Sequence, residues 1–163
     1  MLPINFLKEQ ESIAECFWRQ FAKSDQVEIA VGYISKASLI ELDNMVEKYK
    51  IKKICLNIGM YFIEGMPENL YYTAVDINCK WMKSTIGEIR LIKSFKYHGK
   101  NYCFYKNNKN FSAIVGSANL GVIKLDASNR RQFETAVFIE NFDDCRNISN
   151  LLDELKKEKC SVN

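Results

Sequence analysis

The chain has 163 residues, 47% hydrophobic and 26% charged, with a formal net charge of +3. That length and balance fit one globular domain with a real core and are too short for two comfortable ones. No run approaches the roughly 18 apolar residues of a membrane span, and the N-terminal MLPINFLKEQES lacks the basic stretch and apolar core of a secretory signal, so a cytoplasmic protein without a membrane segment is expected.

Residues 5–23 predict an amphipathic helix, with Phe6, Leu7, Ile13, Ala14, Phe17, Trp18 and Phe21 near helical spacing. The apolar run Val27–Ile34 predicts a buried strand. Ser35 is a natural N-cap for a helix reaching about Lys50, with Leu39, Leu42 and Val46 on one face. Lys53–Ile58 predicts a second strand, Gly59–Pro67 a loop, Asn69–Lys83 a helix and Glu88–Lys93 a third strand. Gly99–Tyr105, Phe111–Val115 and Phe133–Glu140 follow as strands, the first two joined by the Lys-Asn-rich turn 106–110. Asp143–Lys159 closes as a charged helix with Ile148, Leu151, Leu152 and Leu155 inward, either a dimer element or a solvated cap. The βαβαβ beginning implies parallel strands and the later hairpin adds an antiparallel portion. The expected architecture is α/β: a mixed, mostly parallel β-sheet flanked by helices on both faces, in one domain over 1–163.

The six cysteines, at 16, 55, 79, 103, 145 and 160, form no C-x-x-C pair, and one histidine cannot complete a usual Cys/His zinc set. They read as small buried hydrophobes, with neither metal nor cofactor implied. Charge is uneven. Residues 80–131 hold eleven Lys/Arg and two acids, whereas the rest of the chain carries twelve basic and eighteen acidic residues. Such a segment is either a solvated basic face or a surface for a polyanion such as DNA. Lys96, Arg130 and Arg131, within it, are expected to bind substrate.

The same segment holds the only histidine. His98 and Lys100, two apart, would share one face of a strand, with Gly99 adding no bulk between them. Gly116-Ser117-Ala118-Asn119 places an amide just past a buried strand, and Glu134 opens the next one. Adjacent antiparallel strands would bring His98, Lys100, Asn119 and Glu134 together. The set suits phosphodiester cleavage. An imidazole can attack phosphorus, Lys100 and Asn119 can hold the non-bridging oxygens, and Glu134 can fix an imidazole tautomer. A second imidazole must protonate the leaving alkoxide. The chain has one histidine, so the expected site straddles the axis of a homodimer. Tyr71, Tyr72 and Tyr102 could stack on bases, but core packing is the plainer reading.

His98-Gly99-Lys100, then Gly116-Ser117-Ala118-Asn119, then Glu134 before an apolar strand, resembles the phospholipase D superfamily. More narrowly, the chain is similar to the NgoFVII-type restriction endonucleases. The similarity lies in Val31-Gly-Tyr-Ile-Ser35, Asn57-Ile-Gly-Met-Tyr61 with Glu64-Gly65, Tyr97-His-Gly-Lys100, Ala113-Ile-Val-Gly-Ser-Ala-Asn119 and Arg131-Gln-Phe-Glu-Thr135. The resemblance implies a metal-independent DNA endonuclease with His98 as nucleophile and acid/base. It makes Lys100 and Asn119 phosphate ligands, Glu134 a supporting carboxylate and Ser117 an assistant at the phosphate. Many superfamily members carry an Asp five residues after the lysine, where this chain has Tyr105, and that favours a nuclease over a lipid hydrolase. Enzymes of this type usually carry a separate DNA-recognition domain after the catalytic one, whereas this sequence stops at Asn163. Recognition is therefore expected from a further domain or subunit. The rival readings are a phosphodiesterase acting on RNA or phospholipid, and a catalytically silent DNA-binding or assembly module.

Overall fold

The computed structural model describes residues 2–3, 11–123 and 134–163. In chain order the elements are β1 (Leu2–Pro3), α1 (Ile13–Lys23), β2 (Gln26–Val31), α2 (Lys36–Lys48), β3 (Lys53–Ile58), α3 (Tyr61–Glu64), α4 (Glu68–Lys83), β4 (Gly87–Ile92), β5 (Asn101–Lys106), β6 (Lys109–Gly116), a 3-10 turn (Leu120–Ile123), β7 (Thr135–Ile139), α5 (Phe142–Lys156) and β8 (Ser161–Val162). Most of these match the sequence expectations to within a few residues. The expected N-terminal helix over 5–23 starts only at Ile13, because Ser12 caps it there, and residues 11 and 12 are not helical; its first part, with Phe6 and Leu7, lies outside the described residues.

Local chemistry sets several of the boundaries. Ser12 and Glu15 form a reciprocal capping box that starts α1, and Ser35 and Ser38 do the same for α2. Asn107 and Asn108 both adopt left-handed φ, 51° and 61°, which gives the β5–β6 hairpin the turn that matches strand twist. Three features were not expected. The loop 59–67 contains the one-turn helix α3. The terminal helix stops at Lys156, and the chain turns back to add β8 to the sheet edge. Leu151 is exposed, and α5 buries Cys145, Leu152 and Leu155 instead.

The described strands form one sheet in the order β1-β7-β6-β5-β2-β3-β4-β8. The expected parallel majority does not hold. Only the β2–β3 and β3–β4 pairs are parallel, and the other five pairings among the described residues are antiparallel. The helical crossovers enforce parallel pairing only for β2, β3 and β4. After β4 the segment 93–100 carries the chain back to lay β5 against β2 in the opposite sense, a tight hairpin makes β6 antiparallel to β5, and β7 is antiparallel to β6.

Helices cover both faces. Alternate residues of the central strands, among them Val27, Ile29, Tyr102 and Phe104, pack with Phe17, Phe21, Leu39, Leu42 and Trp81 from α1, α2 and α4. The opposite alternation, Ala30, Cys103, Tyr105 and Ala113, packs against Cys145, Leu152 and Leu155 of α5. A two-residue period thus feeds two cores. Four cysteines are buried as expected, but Cys79 is exposed and Cys160 partly so. Tyr102 is buried, whereas Tyr71 and Tyr72 are exposed at 50% and 59%, contrary to the core reading. Among the described residues no helix is long and apolar enough to cross a membrane.

Candidate active site

Strand direction gathers the site. β5 runs antiparallel to β2 with Ala30 opposite Asn101, so the residues before β5 meet the C-terminal end of β2. β6 runs antiparallel to β5 with Val115 opposite Asn101, and β7 antiparallel to β6 with Ala136 opposite Gly116. The ends of β2, β3 and β6 and the beginnings of β5 and β7 therefore share one edge, where loops are free to carry chemistry. His98 and Lys100 lie just before β5, Ser117 and Asn119 just after β6, and Glu134 just before β7.

His98 and Lys100 are not on a strand, as the two-residue spacing suggested, but in the irregular segment leading into β5. They meet nonetheless. Lys100 Nζ donates to the His98 carbonyl at 2.6 Å and stands 2.9 Å from Nδ1 and 3.1 Å from Nε2 of the imidazole. Lys100 is buried and His98 exposed. Burial pushes the Lys100 amine below its ordinary pKa, with the Glu134 charge opposing. The ring is also walled from behind. A Cβ on Gly32 would sit 3.1 Å from His98 Cδ2, and the Tyr33 ring stands edge-on to the imidazole with centroids 6.0 Å apart.

Two close backbone approaches fix the segment. The Tyr97 N–H donates to the Gly59 carbonyl at 3.2 Å, and a Cβ on Gly59 would fall 1.9 Å from the Tyr97 oxygen. Only glycine permits that contact.

Asn119 is oriented by a distant partner: its Oδ1 accepts from the Tyr33 backbone N–H at 3.0 Å. The opposite end of the amide, Nδ2, is then the donor that a phosphate oxygen requires. The turn carrying it is held from below by Tyr102, whose buried hydroxyl donates to the Ala118 carbonyl at 2.6 Å. Ser117 Oγ donates to the Glu134 carboxylate and accepts from the Thr135 N–H at 3.0 Å. Among the described residues Glu134 thus engages Ser117, not His98.

The sequence-predicted residues separate into three groups. His98 and Lys100 touch, Ser117 and Glu134 touch, and Asn119 joins the site through Tyr33. Lys96 is near the site but carries an ion pair to Glu64 at 3.1 Å. Arg130 and Arg131 lie outside the described residues. The basic segment also proves less concentrated than its sequence count. Lys80 pairs with Asp43 at 2.6 Å, Arg90 with Glu88 at 2.9 Å, and Lys106 reaches Asp25 at the far end of β5. Gly32, Tyr33, Gly59, Glu64 and Tyr97 had no assigned part in the chemistry, and the structure gives each a contact at the site. All five lie in segments that carry the family resemblance, and a glycine closes each of two buried runs, Val31-Gly32 and Ile58-Gly59, but neither signal gave them a role.

Among the described residues no group of three or more His, Cys, Asp and Glu side chains is arranged to hold a metal ion. No curated protein matches the chain. The family model described as the NgoFVII restriction endonuclease N-terminal PLD domain matches residues 11–163, nearly the whole sequence, and the chain belongs to that family.

Proposed function

We propose that the chain is a DNA endonuclease domain that hydrolyses phosphodiester bonds through His98, without a metal, at a site completed by a second copy of itself. The observation that carries this reading is the contact of the buried Lys100 ammonium with the exposed His98 ring, on the edge that also holds Asn119, Ser117 and Glu134. Family membership supports the choice of a nuclease and of DNA as substrate.

The chemistry follows from the groups present. An imidazole nitrogen of His98 attacks phosphorus as the bond to the leaving oxygen breaks. Lys100 and Asn119 donate to the non-bridging oxygens as negative charge builds there. Lys100 is a fixed cation where a divalent ion would otherwise supply positive charge. The leaving alkoxide takes its proton from a second imidazole, assigned to His98 of the partner subunit because this chain has only one histidine. That imidazole then removes a proton from water, which attacks phosphorus and releases His98. Ser117 and Glu134 brace the turn beside the phosphate.

Plasmid cleavage in excess EDTA, beside His98→Ala, tests the reading. Cleavage lost only in the variant supports it, and strict Mg²⁺ dependence overturns the mechanism. Sizing the active species tests the dimer. DNA binding with no cleavage in any buffer would instead favour a silent binding module.

A further inference from the structure

One anionic bridge beside the nucleophile has no part in the reaction just described. Glu64 ends the short helix α3. Its Oε2 accepts from the Tyr33 hydroxyl at 2.6 Å and its Oε1 from Lys96 Nζ at 3.1 Å. Both donors adjoin His98: the Tyr33 ring stands edge-on to it, and Lys96 lies two residues before it in the chain. The bridge is open to solvent, with the Lys96 side chain 57% exposed and that of Glu64 35%. Hydrogen bonds from Tyr33 and then Lys96 hold the Glu64 carboxyl below the usual carboxylate range, so it is an anion at neutral pH.

A carboxylate with one oxygen on a phenol and the other on an ammonium takes the donor set that two non-bridging oxygens of a phosphodiester would take. The other phosphate-facing groups are fixed by the fold, Lys100 by burial and Asn119 by a backbone N–H. Tyr33 and Lys96, in contrast, converge on a surface carboxylate that an incoming anion can replace. Gly65 follows at φ 87°, and a Cβ placed on it would meet nothing within 4 Å.

We propose that Tyr33 and Lys96 form a second phosphate subsite beside the scissile one, filled in the free protein by the Glu64 carboxylate, and that DNA binding exchanges the carboxylate for a neighbouring backbone phosphate. The inference rests on the reading of His98 as a phosphodiester-cleaving residue. Glu64 is then a built-in competitor, which weakens binding of any ligand unable to displace it.

The test is fluorescence anisotropy with a labelled DNA duplex, in a His98→Ala background so that nothing is cut. Glu64→Gln, Lys96→Ala and the double variant are compared across a salt series, with thermal melting to check folding. Glu64→Gln is expected to tighten binding roughly fivefold at low salt. Lys96→Ala is expected to lower the slope of log K against log salt by about one, the signature of one lost phosphate contact. In the double variant the gain from Glu64→Gln should vanish. Unchanged or weaker binding by Glu64→Gln, with the parent still binding, would overturn the subsite and leave Glu64 a brace. An unchanged salt slope in Lys96→Ala would overturn it independently of how Glu64→Gln folds. No DNA binding by any protein, the parent included, would overturn the nuclease reading and the subsite with it.

Discussion

Lys100 folds back onto His98, its ammonium 2.6 Å from the histidine's own carbonyl and within 2.9 and 3.1 Å of the two ring nitrogens. In the proposed mechanism a buried cation so placed serves two ends: it sets the imidazole and stabilises charge as it builds on phosphate. Lys100→Met keeps the aliphatic stem and removes the charge. It is expected to lower kcat by about 10²- to 10³-fold, the scale for losing one donor to a developing oxyanion, with a smaller change in KM. Steady-state cleavage of a short duplex checks this, and an equal loss in a variant that no longer melts cooperatively would not count as catalytic.

The same burial makes activity sensitive to alkali. Desolvation disfavours the charged amine, so Lys100 loses its proton at a lower pH than an ordinary lysine. If Lys100 binds phosphate as proposed, only its ammonium form does so, and the alkaline limb of kcat/KM should fall below the ordinary lysine range. Lys100→Arg, always charged, should move that limb upward even if the maximum rate drops. The linkage to stability has the matching sign. The folded state carries the penalty of a buried charge below the folded pKa, and that penalty recedes as pH rises toward the unfolded value. A pH–rate profile of both proteins decides the point.

Tyr102 ties the core to the site. Its ring sits among Phe17 and the α1 face, and its buried hydroxyl donates to the Ala118 carbonyl one residue before Asn119. Tyr102→Phe removes only the hydroxyl and leaves that carbonyl without its donor. The expected loss is about 1–3 kcal/mol in chemical denaturation. A drop in kcat should accompany it, because the turn carrying the Asn119 amide loosens.

How much of this was legible in the residues can be judged from particular contacts. The α1 stripe, the Ser35 cap and the Asn107-Asn108 hairpin are local patterns, and each produced an element close to where it was expected. The two-residue strand β8 and the four-residue helix α3 are too short to leave a period. Strand direction is invisible in alternation alone, and the mixed sheet expected to be mostly parallel is therefore largely antiparallel. At the site, the short spacings of His98 with Lys100 and of Ser117 with Asn119 could be read directly. The Tyr33 N–H bond to Asn119 spans 86 residues and uses backbone, and no side-chain pattern encodes it. The Glu64–Lys96 bridge joins residues 32 apart, one from a stretch that reads only as loop.

Glu28 is the clearest case of stability separable from chemistry. It is 6% exposed on β2, accepting from Lys156 of α5 at 2.9 Å and from Gln26 at 3.0 Å. Glu28→Ala takes one of two carboxylates from Lys156, which keeps Asp153 at 2.7 Å, and should cost about 1–3 kcal/mol in urea unfolding. Adding Lys156→Met should recover part of the loss, since it removes a partly buried charge left with Asp153 as its one carboxylate. The folded variants should cut DNA at the parent rate, because the pair lies on the α5 face and away from His98. A cleavage defect in the folded double variant would show that α5 docking reaches the site.

A glycine couples the end of β3 to the segment that carries His98. A Cβ on Gly59 would lie 1.9 Å from the Tyr97 carbonyl oxygen and 2.7 Å from its carbon, both backbone atoms of the residue before His98. No rotamer relieves such a clash, so the chain at Tyr97 must move. Gly59→Ala is expected to lower stability by about 2–3 kcal/mol, the range for overpacking a tight contact. It should also cut kcat, because the displaced segment carries His98 and Lys100. Gly121→Ala is the matched control, since its added methyl meets nothing within 4 Å and it should melt at or slightly above the parent temperature. If Gly59→Ala melted like Gly121→Ala and cut at the parent rate, the close approach of Gly59 to Tyr97 would not be what positions His98.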